Sequence, residues 1–172
     1  MSLASATAPD IAQHLLRDEG EVIVDEVTHH WAAYLRPAVE GVLALAALLG
    51  VAVVDTRIGW LLLLLACALG FHAAWRALAA HRDRFVITNM RVFRVHGVLT
   101  SNLATMPLSR ILDITVVKPF LGRMLGYGHF VFESAAQEQG LRDIRYVARP
   151  YQRDLAIQRV VQRSGLRGRQ VN

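Results

Sequence analysis

Pro37–Val54, PAVEGVLALAALLGVAVV, and Ile58–Ala80, IGWLLLLLACALGFHAAWRALAA, are separated only by Asp55-Thr56-Arg57. The first run has 18 residues with Glu40 as its single charge, and the second has 23 with only Arg76. As helices they reach roughly 27 and 34 Å, against a hydrocarbon core of about 30 Å. Trp60 to Leu69 carries no polar stripe. A helix that is apolar all round belongs in lipid or deep inside a large protein, and a chain of 172 residues offers no such interior. The pair therefore predicts two membrane-spanning helices in a tight antiparallel hairpin, with both chain ends on one side. A secretory signal followed by one span fits less well, because an acidic segment without a basic n-region precedes the first run. Pro37 suits the first turn of its helix. Trp31, Tyr34, Trp60 and Trp75 are the amphipathic rings expected at headgroup level. Ala46/Gly50 and Ala66/Gly70 have the spacing of close helix packing, or simply reflect an alanine-rich composition.

The chain is 53% hydrophobic and 19% charged, which excludes disorder, collagen-like repeats and coiled coil for most of its length. One cysteine, Cys67, excludes a disulfide framework and a cysteine-based zinc cluster. The net charge of +5 suggests nucleic acid until it is divided along the chain. Residues 1–36 carry −4, residues 37–80 balance, and residues 81–172 carry +9. Arg76, Arg82 and Arg84 crowd the exit of the second run, whereas the hairpin tip has Arg57 alone. The positive-inside bias then predicts a multi-pass protein of the cytoplasmic (inner) membrane with both termini cytoplasmic. The expected organisation is an acidic segment over 1–36, the hairpin over 37–80 (37–54 and 58–80), a cytoplasmic domain over 81–164 and a basic tail over 165–172.

The domain reads as β-rich. Arg84–Thr88 is a strand ended by an Asn89-Met90 turn, and Arg91–His96 is a second, with Phe93 and Val95 opposite Val92, Arg94 and His96. Gly97 permits a reversal into a third strand over 98–106, which Pro107 breaks. Ile111–Val117 is a fourth, with Leu112, Ile114 and Val116 as its apolar face. Residues 119–128 are punctuated by glycine and form a short helical turn or loop. His129–Ser134 and Leu141–Ala148 are further strands, with a turn over Gln137–Gly140 between them. Pro150 opens a helix whose apolar positions are Leu155, Ala156, Val160 and Val161. Six or seven short strands and a terminal helix suggest a small barrel or sandwich.

The runs RFVITNMRVFRVHGVL, MPLSRILDITVV and LGRMLGYGHFVFESA resemble the second type of bacterial pleckstrin-homology-like (PH-like) domain. The resemblance covers roughly residues 80–150, and EGEVIVDEVTHHW is similar to the acidic lead-in of such proteins. The motif residues are Thr88, Asn89 and Arg91, the Gly97 turn, Pro107 with Ser109, Arg110 and Ile111, and Gly122, Arg123, Gly126 and Gly128. The resemblance implies a pair of membrane helices followed by a sandwich of about seven strands, closed at one end by a helix. It implies no catalytic activity and no cofactor, and it does not carry phosphoinositide binding with it.

The residues themselves offer little chemistry. His29 and His30 are adjacent and point apart on any regular element, so no metal site is expected. His96 and His129 have no Ser or Cys partner at motif spacing, and Ser109-Arg110 and Glu133-Ser134 match no nucleophile signature. Gly122-x-x-x-Gly126-x-Gly128 lacks the Lys-Ser/Thr of a phosphate loop, so its expected role is backbone conformation. Arg110 suits either a clamp on Asp113 or a carbonyl, or contact with an anionic group. Arg123, among Leu121, Met124 and Leu125, suits an interfacial loop, unless its apolar neighbours fold back onto the core. Phe85, Phe93, Phe130 and Phe132 are expected in the core rather than stacked on bases, and no ribonucleoprotein signature is present. The expectation is a membrane-anchored binding or scaffolding module without catalytic residues. Arg82, Arg84, Lys118 and Arg123 are its candidate contacts to anionic lipid or a partner, and a protein partner or self-association is expected. The alternative is an accessory subunit of a larger transport or export complex, with the hairpin as interface.

Overall fold

A computed structural model describes residues 11–134 and 141–163. The expected turn over 137–140, the tail over 165–172 and the side chain of Leu112 lie outside what is described. The chain divides into two compact units, 33–80 and the remainder.

The first unit is the helical hairpin. Helix α1 spans Leu35–Gly50 and α2 spans Thr56–Arg82. The expected first helix ran to Val54. Instead it loosens over Val51–Val53 into a turn with single i→i+3 bonds, 3.1–3.3 Å long, where β-branched valines at 51, 53 and 54 crowd a helical backbone. Asp55 starts α2 two residues earlier than expected, its Oδ1 accepting the Arg57 amide at 2.9 Å. Both helical segments are long and apolar enough to cross a membrane, and only 17% of each apolar window is buried. What is buried is small: Pro37 and Ala44 on α1, and Gly59, Ala66 and Ala73 on α2. These positions recur every seven residues, the repeat that keeps one seam facing a partner helix. A Cβ on Gly70 would meet Ala44 at 3.9 Å, and one on Gly50 would meet Leu62 at 3.5 Å. Ala66, Gly70 and Gly50 thus lie along the seam as their spacing suggested; Ala46 faces outward and Ala44 takes its place.

The second unit packs two antiparallel sheets together with helices. One sheet has the order β1-β2-β3-β4: Ile23–Thr28, Arg84–Thr88, Arg91–His96 and Asn102–Pro107. The other has the order β5-β6-β7: Ile111–Val117, Tyr127–Ser134 and Asp143–Ala148. All neighbours are antiparallel. Between β5 and β6 lies the short helix α3, Phe120–Leu125, and α4, Pro150–Arg163, follows β7.

Several details depart from expectation: β6 begins at Tyr127, not His129, and β7 at Asp143, not Leu141. The acidic lead-in supplies β1, which pairs along β2 from Ile23↔Thr88 to Thr28↔Arg84. The third strand starts at Asn102, not Val98. Gly97 sits at φ +120°, where a Cβ would collide with the Thr100 carbonyl, so the chain turns over 97–101 before pairing. Pro107 closes β4, an edge strand, where a missing amide costs no ladder bond. On α4 the buried residues are Pro150, Ile157, Val160 and Val161, while Leu155 is exposed.

The main core joins Phe85, Ile87 and Val92 of the first sheet to Phe130, Phe132 and Ile144 of the second, under Ile157 and Val161. Phe85 and Phe132 meet across the sheets at 5.6 Å. Ile111 joins this core beside Ile114 and Val116 because the ladder slips between Ile111 and Asp113. On the far side of the four-stranded sheet, Val86, Phe93 and Val95 form a second cluster covered by Ile11 and Leu15. Burial on both faces explains why Phe85-Val86-Ile87 runs apolar without alternation.

Candidate functional site

Thr88, Asn89 and Arg91 meet at one end of the first sheet, around a residue the sequence reading did not single out. Glu21 has a fully buried side chain. Arg91 holds it with two parallel bonds, Nε to Oε1 at 2.9 Å and a terminal nitrogen to Oε2 at 3.0 Å. The Leu16 amide donates to Oε2 at 2.7 Å, and the Thr88 hydroxyl lies 2.8 Å from Oε1. Burial alone would raise the Glu21 pKa. Arg91, the Leu16 amide and Thr88 outweigh it and hold the carboxyl below its ordinary value. Asn89 fastens the same segment through its backbone, accepting from the Val22 amide at 2.8 Å and donating to the Gly20 carbonyl at 3.1 Å. These motif residues bind the chain's own N-terminal segment.

Asp83, between α2 and β2, is the second buried acid. Arg94 grips it through Nε at 2.8 Å and a terminal nitrogen at 2.6 Å, and His29 Nε2 lies at 3.2 Å. Burial would raise its pKa too, but Arg94 and His29 hold it far below the ordinary carboxylate range. The neighbouring His30 turns elsewhere, accepting the Ala32 amide at 3.2 Å and packing on Tyr127. The two histidines do point apart. Among the described residues no cluster of three metal-ligating side chains occurs.

The four proposed contact residues fall into two kinds. Arg82 donates to the Val98 carbonyl at 2.6 Å, Arg84 faces Glu26 at 3.3 Å, and Lys118 lies 3.8 Å above the Tyr151 ring. All three are engaged inside the domain. Arg123, on α3, is exposed, and its neighbours Phe120, Leu121 and Met124 are 76%, 59% and 71% exposed. Of the apolar neighbours named in the sequence, Leu121 and Met124 stay exposed, while Leu125 is half-buried. The shape of this helix is fixed by close approach: a Cβ on Gly122 would press on the Tyr127 carbonyl, and one on Gly128 would lie 2.9 Å from Pro150. Only Gly126, at φ +83°, fills the left-handed cap expected of the glycine motif. The Arg149 amide bonds the Gly126 carbonyl, bringing a further exposed arginine beside the patch. Arg110 is exposed at the end of a 3-10 turn, Leu108–Arg110.

A family model described as the bacterial PH domain matches residues 41–164. The chain belongs to the bacterial PH domain family. No curated protein and no solved structure matches it. The matched span takes in most of the hairpin and the strands from β2 onward, but not β1 or Glu21. The bacterial PH domain here is therefore completed by an acidic strand upstream of the matched region. Sequence carried little signal for that strand: Val22-Ile23-Val24 is apolar and β-branched, but Asp25-Glu26 interrupts any alternation, and only Val27 is buried.

Beside β1 lies an aromatic group in which Tyr127 contacts His30, His129 and Tyr146 at ring separations of 5.2–5.8 Å. Tyr146 holds φ +56°, and its amide donates to His129 Nδ1 at 3.0 Å. Burial lowers the pKa of both histidines, and Arg145 adds to the effect at His129.

Proposed function

We propose that this bacterial PH domain is a membrane-anchored binding module of the inner face of the cytoplasmic membrane, and that α3 is its lipid contact. The carrying observation is the exposed trio Phe120, Leu121 and Met124 around Arg123. Apolar side chains beside a free cation are what an anionic bilayer surface accepts: the rings and methyls enter the headgroup boundary, and the guanidinium meets phosphate. The excess of basic residues over 81–172 and the two apolar helices support the inner leaflet as the anion at hand. Arg82, Arg84 and Lys118 contribute to the local potential while remaining bound within the domain.

The test places a solvatochromic dye on Phe120→Cys in a Cys67→Ser background, with the full chain in lipid nanodiscs. Emission shifts to the blue in anionic nanodiscs and not in neutral ones. Arg123→Gln weakens the effect by about 1 kcal/mol, the contribution of one surface cation. Identical emission in both lipids rejects the reading.

One observation favours a second role, as an accessory subunit of a larger membrane complex. On the hairpin, Glu40 lies 2.8 Å from His72 and 3.8 Å from Arg76, and all three are partly exposed among leucines. Polar groups in an apolar span call for polar company, which a partner's helix supplies. Recovery of a stoichiometric membrane partner after mild detergent extraction, lost in Glu40→Leu, supports this role.

A further inference from the structure

Five arginines of the sandwich are matched to acids: Arg84 to Glu26, Arg91 to Glu21, Arg94 to Asp83, Arg145 to Asp143 and Arg153 to Asp25. Arg159 and Arg163 are not. They stand one turn apart on α4, both exposed, and neither has an acid partner among the described residues. A cavity of about 410 Å³ opens between them and β1, with Val24, Ala156 and Val160 as its apolar lining and Asn89 at its end. Asn89 has both side-chain groups committed to the backbone at Val22 and Gly20. Among the described residues, the charged groups lining the space are the two guanidiniums.

We infer that this cavity between β1 and α4 binds a small organic anion: a phosphate monoester or carboxylate carried on a short apolar body. Two guanidinium forks at i and i+4 can embrace one tetrahedral or planar oxyanion from both sides, which a lysine pair does less specifically. The valine and alanine surface takes up the apolar body, and the volume lies in the range of small-molecule sites. The cavity stands apart from the α3 patch in sequence and composition, so either site can fail without the other. A phosphate monoester could arrive as a soluble compound or as a lipid headgroup; the chemistry at the arginines is the same.

Calorimetric titration of the full chain in phosphatidylcholine nanodiscs tests this, using phenyl phosphate, inorganic phosphate and benzyl alcohol. Phenyl phosphate binds, inorganic phosphate binds more weakly, and benzyl alcohol does not bind. The double variant Arg159→Gln/Arg163→Gln weakens phenyl phosphate at least about tenfold, as expected from loss of charge-assisted bonds. Ala156→Leu, which fills the cavity and keeps both arginines, weakens it as well. An unchanged thermal midpoint in either variant separates these losses from misfolding. Binding that is equal in both variants, equal for inorganic and phenyl phosphate, or absent at about 10 mM ligand overturns the proposal. Phosphatidic acid in the nanodisc distinguishes the sources: competition with phenyl phosphate assigns the headgroup, and no competition assigns the soluble compound.

Discussion

The hairpin and the sandwich are built on opposite plans. The sandwich buries Phe85, Phe93 and Phe130 and pairs its half-buried arginines with acids, whereas the hairpin buries alanine and glycine and turns Leu43, Leu45, Leu61, Leu64 and Phe71 outward. Hydrophobic burial drives the first arrangement. It cannot drive the second, where the seam is closed by backbone proximity and dispersion between small residues, as in helices surrounded by lipid. The same amino acids therefore carry different meanings in the two units: an exposed leucine in the hairpin is its ordinary surface, whereas the exposed Phe120, Leu121 and Met124 of the sandwich are gathered on one short helix.

The sharpest break would come from the sandwich core. Phe130→Ala should cost about 3–5 kcal/mol in denaturant unfolding, since its ring is fully buried between the sheets. Arg91→Ala should cost roughly 3–5 kcal/mol, because it leaves the Glu21 carboxylate buried without its counter-charge. Glu21→Gln with Arg91→Gln should recover much of that loss, and a double variant as unstable as Arg91→Ala alone would contradict the paired reading. In the hairpin the order inverts. Ala66→Phe on the seam should cost about 1–3 kcal/mol in detergent melts through overpacking. Leu64→Ala, on the outward face, should cost less than about 0.5 kcal/mol. Equal costs for the two would erase the contrast between seam and surface.

Acid should act on the sandwich in two stages. His30 and His129 titrate below the ordinary imidazole value of 6.5 when folded, so the unfolded chain binds more protons. Their contribution is complete above 6.5 and is lost as pH falls through the folded values. Glu21 and Asp83 are likewise depressed, from 4.5 and 3.8, so their contribution disappears only at still lower pH. Melting temperatures measured against pH should fall in the first stage for the native chain and less for His129→Asn. An unchanged first stage in His129→Asn would remove that histidine from the account.

How much was legible in the sequence depends on the range of the forces involved. The two apolar runs marked the hairpin because a helix satisfies its own backbone, so its length and apolar composition show in the local sequence. Six strands showed in local alternation and turn chemistry, and Arg123 showed as a cation among apolar neighbours. The seventh strand did not show. Residues 23–28 are acidic at Asp25 and Glu26, and they become a strand because β2 offers them an edge about 60 residues later in the chain. Leu155 and Ile157 are equally plausible as buried residues of a helix, and only the direction from which the sandwich approaches α4 selected Ile157.

By itself, then, the sequence determined the features with local causes: two apolar helices, the sign of charge on either side of them, and the β-rich character of the segment after the second helix. Tertiary structure decided which charges are committed and which are free. Arg82, Arg84, Arg91 and Arg94 look no different from Arg159 and Arg163 along the chain. Pairing across tens of residues separates them, because an ion pair depends on distance in space and burial, neither of which a linear sequence contains.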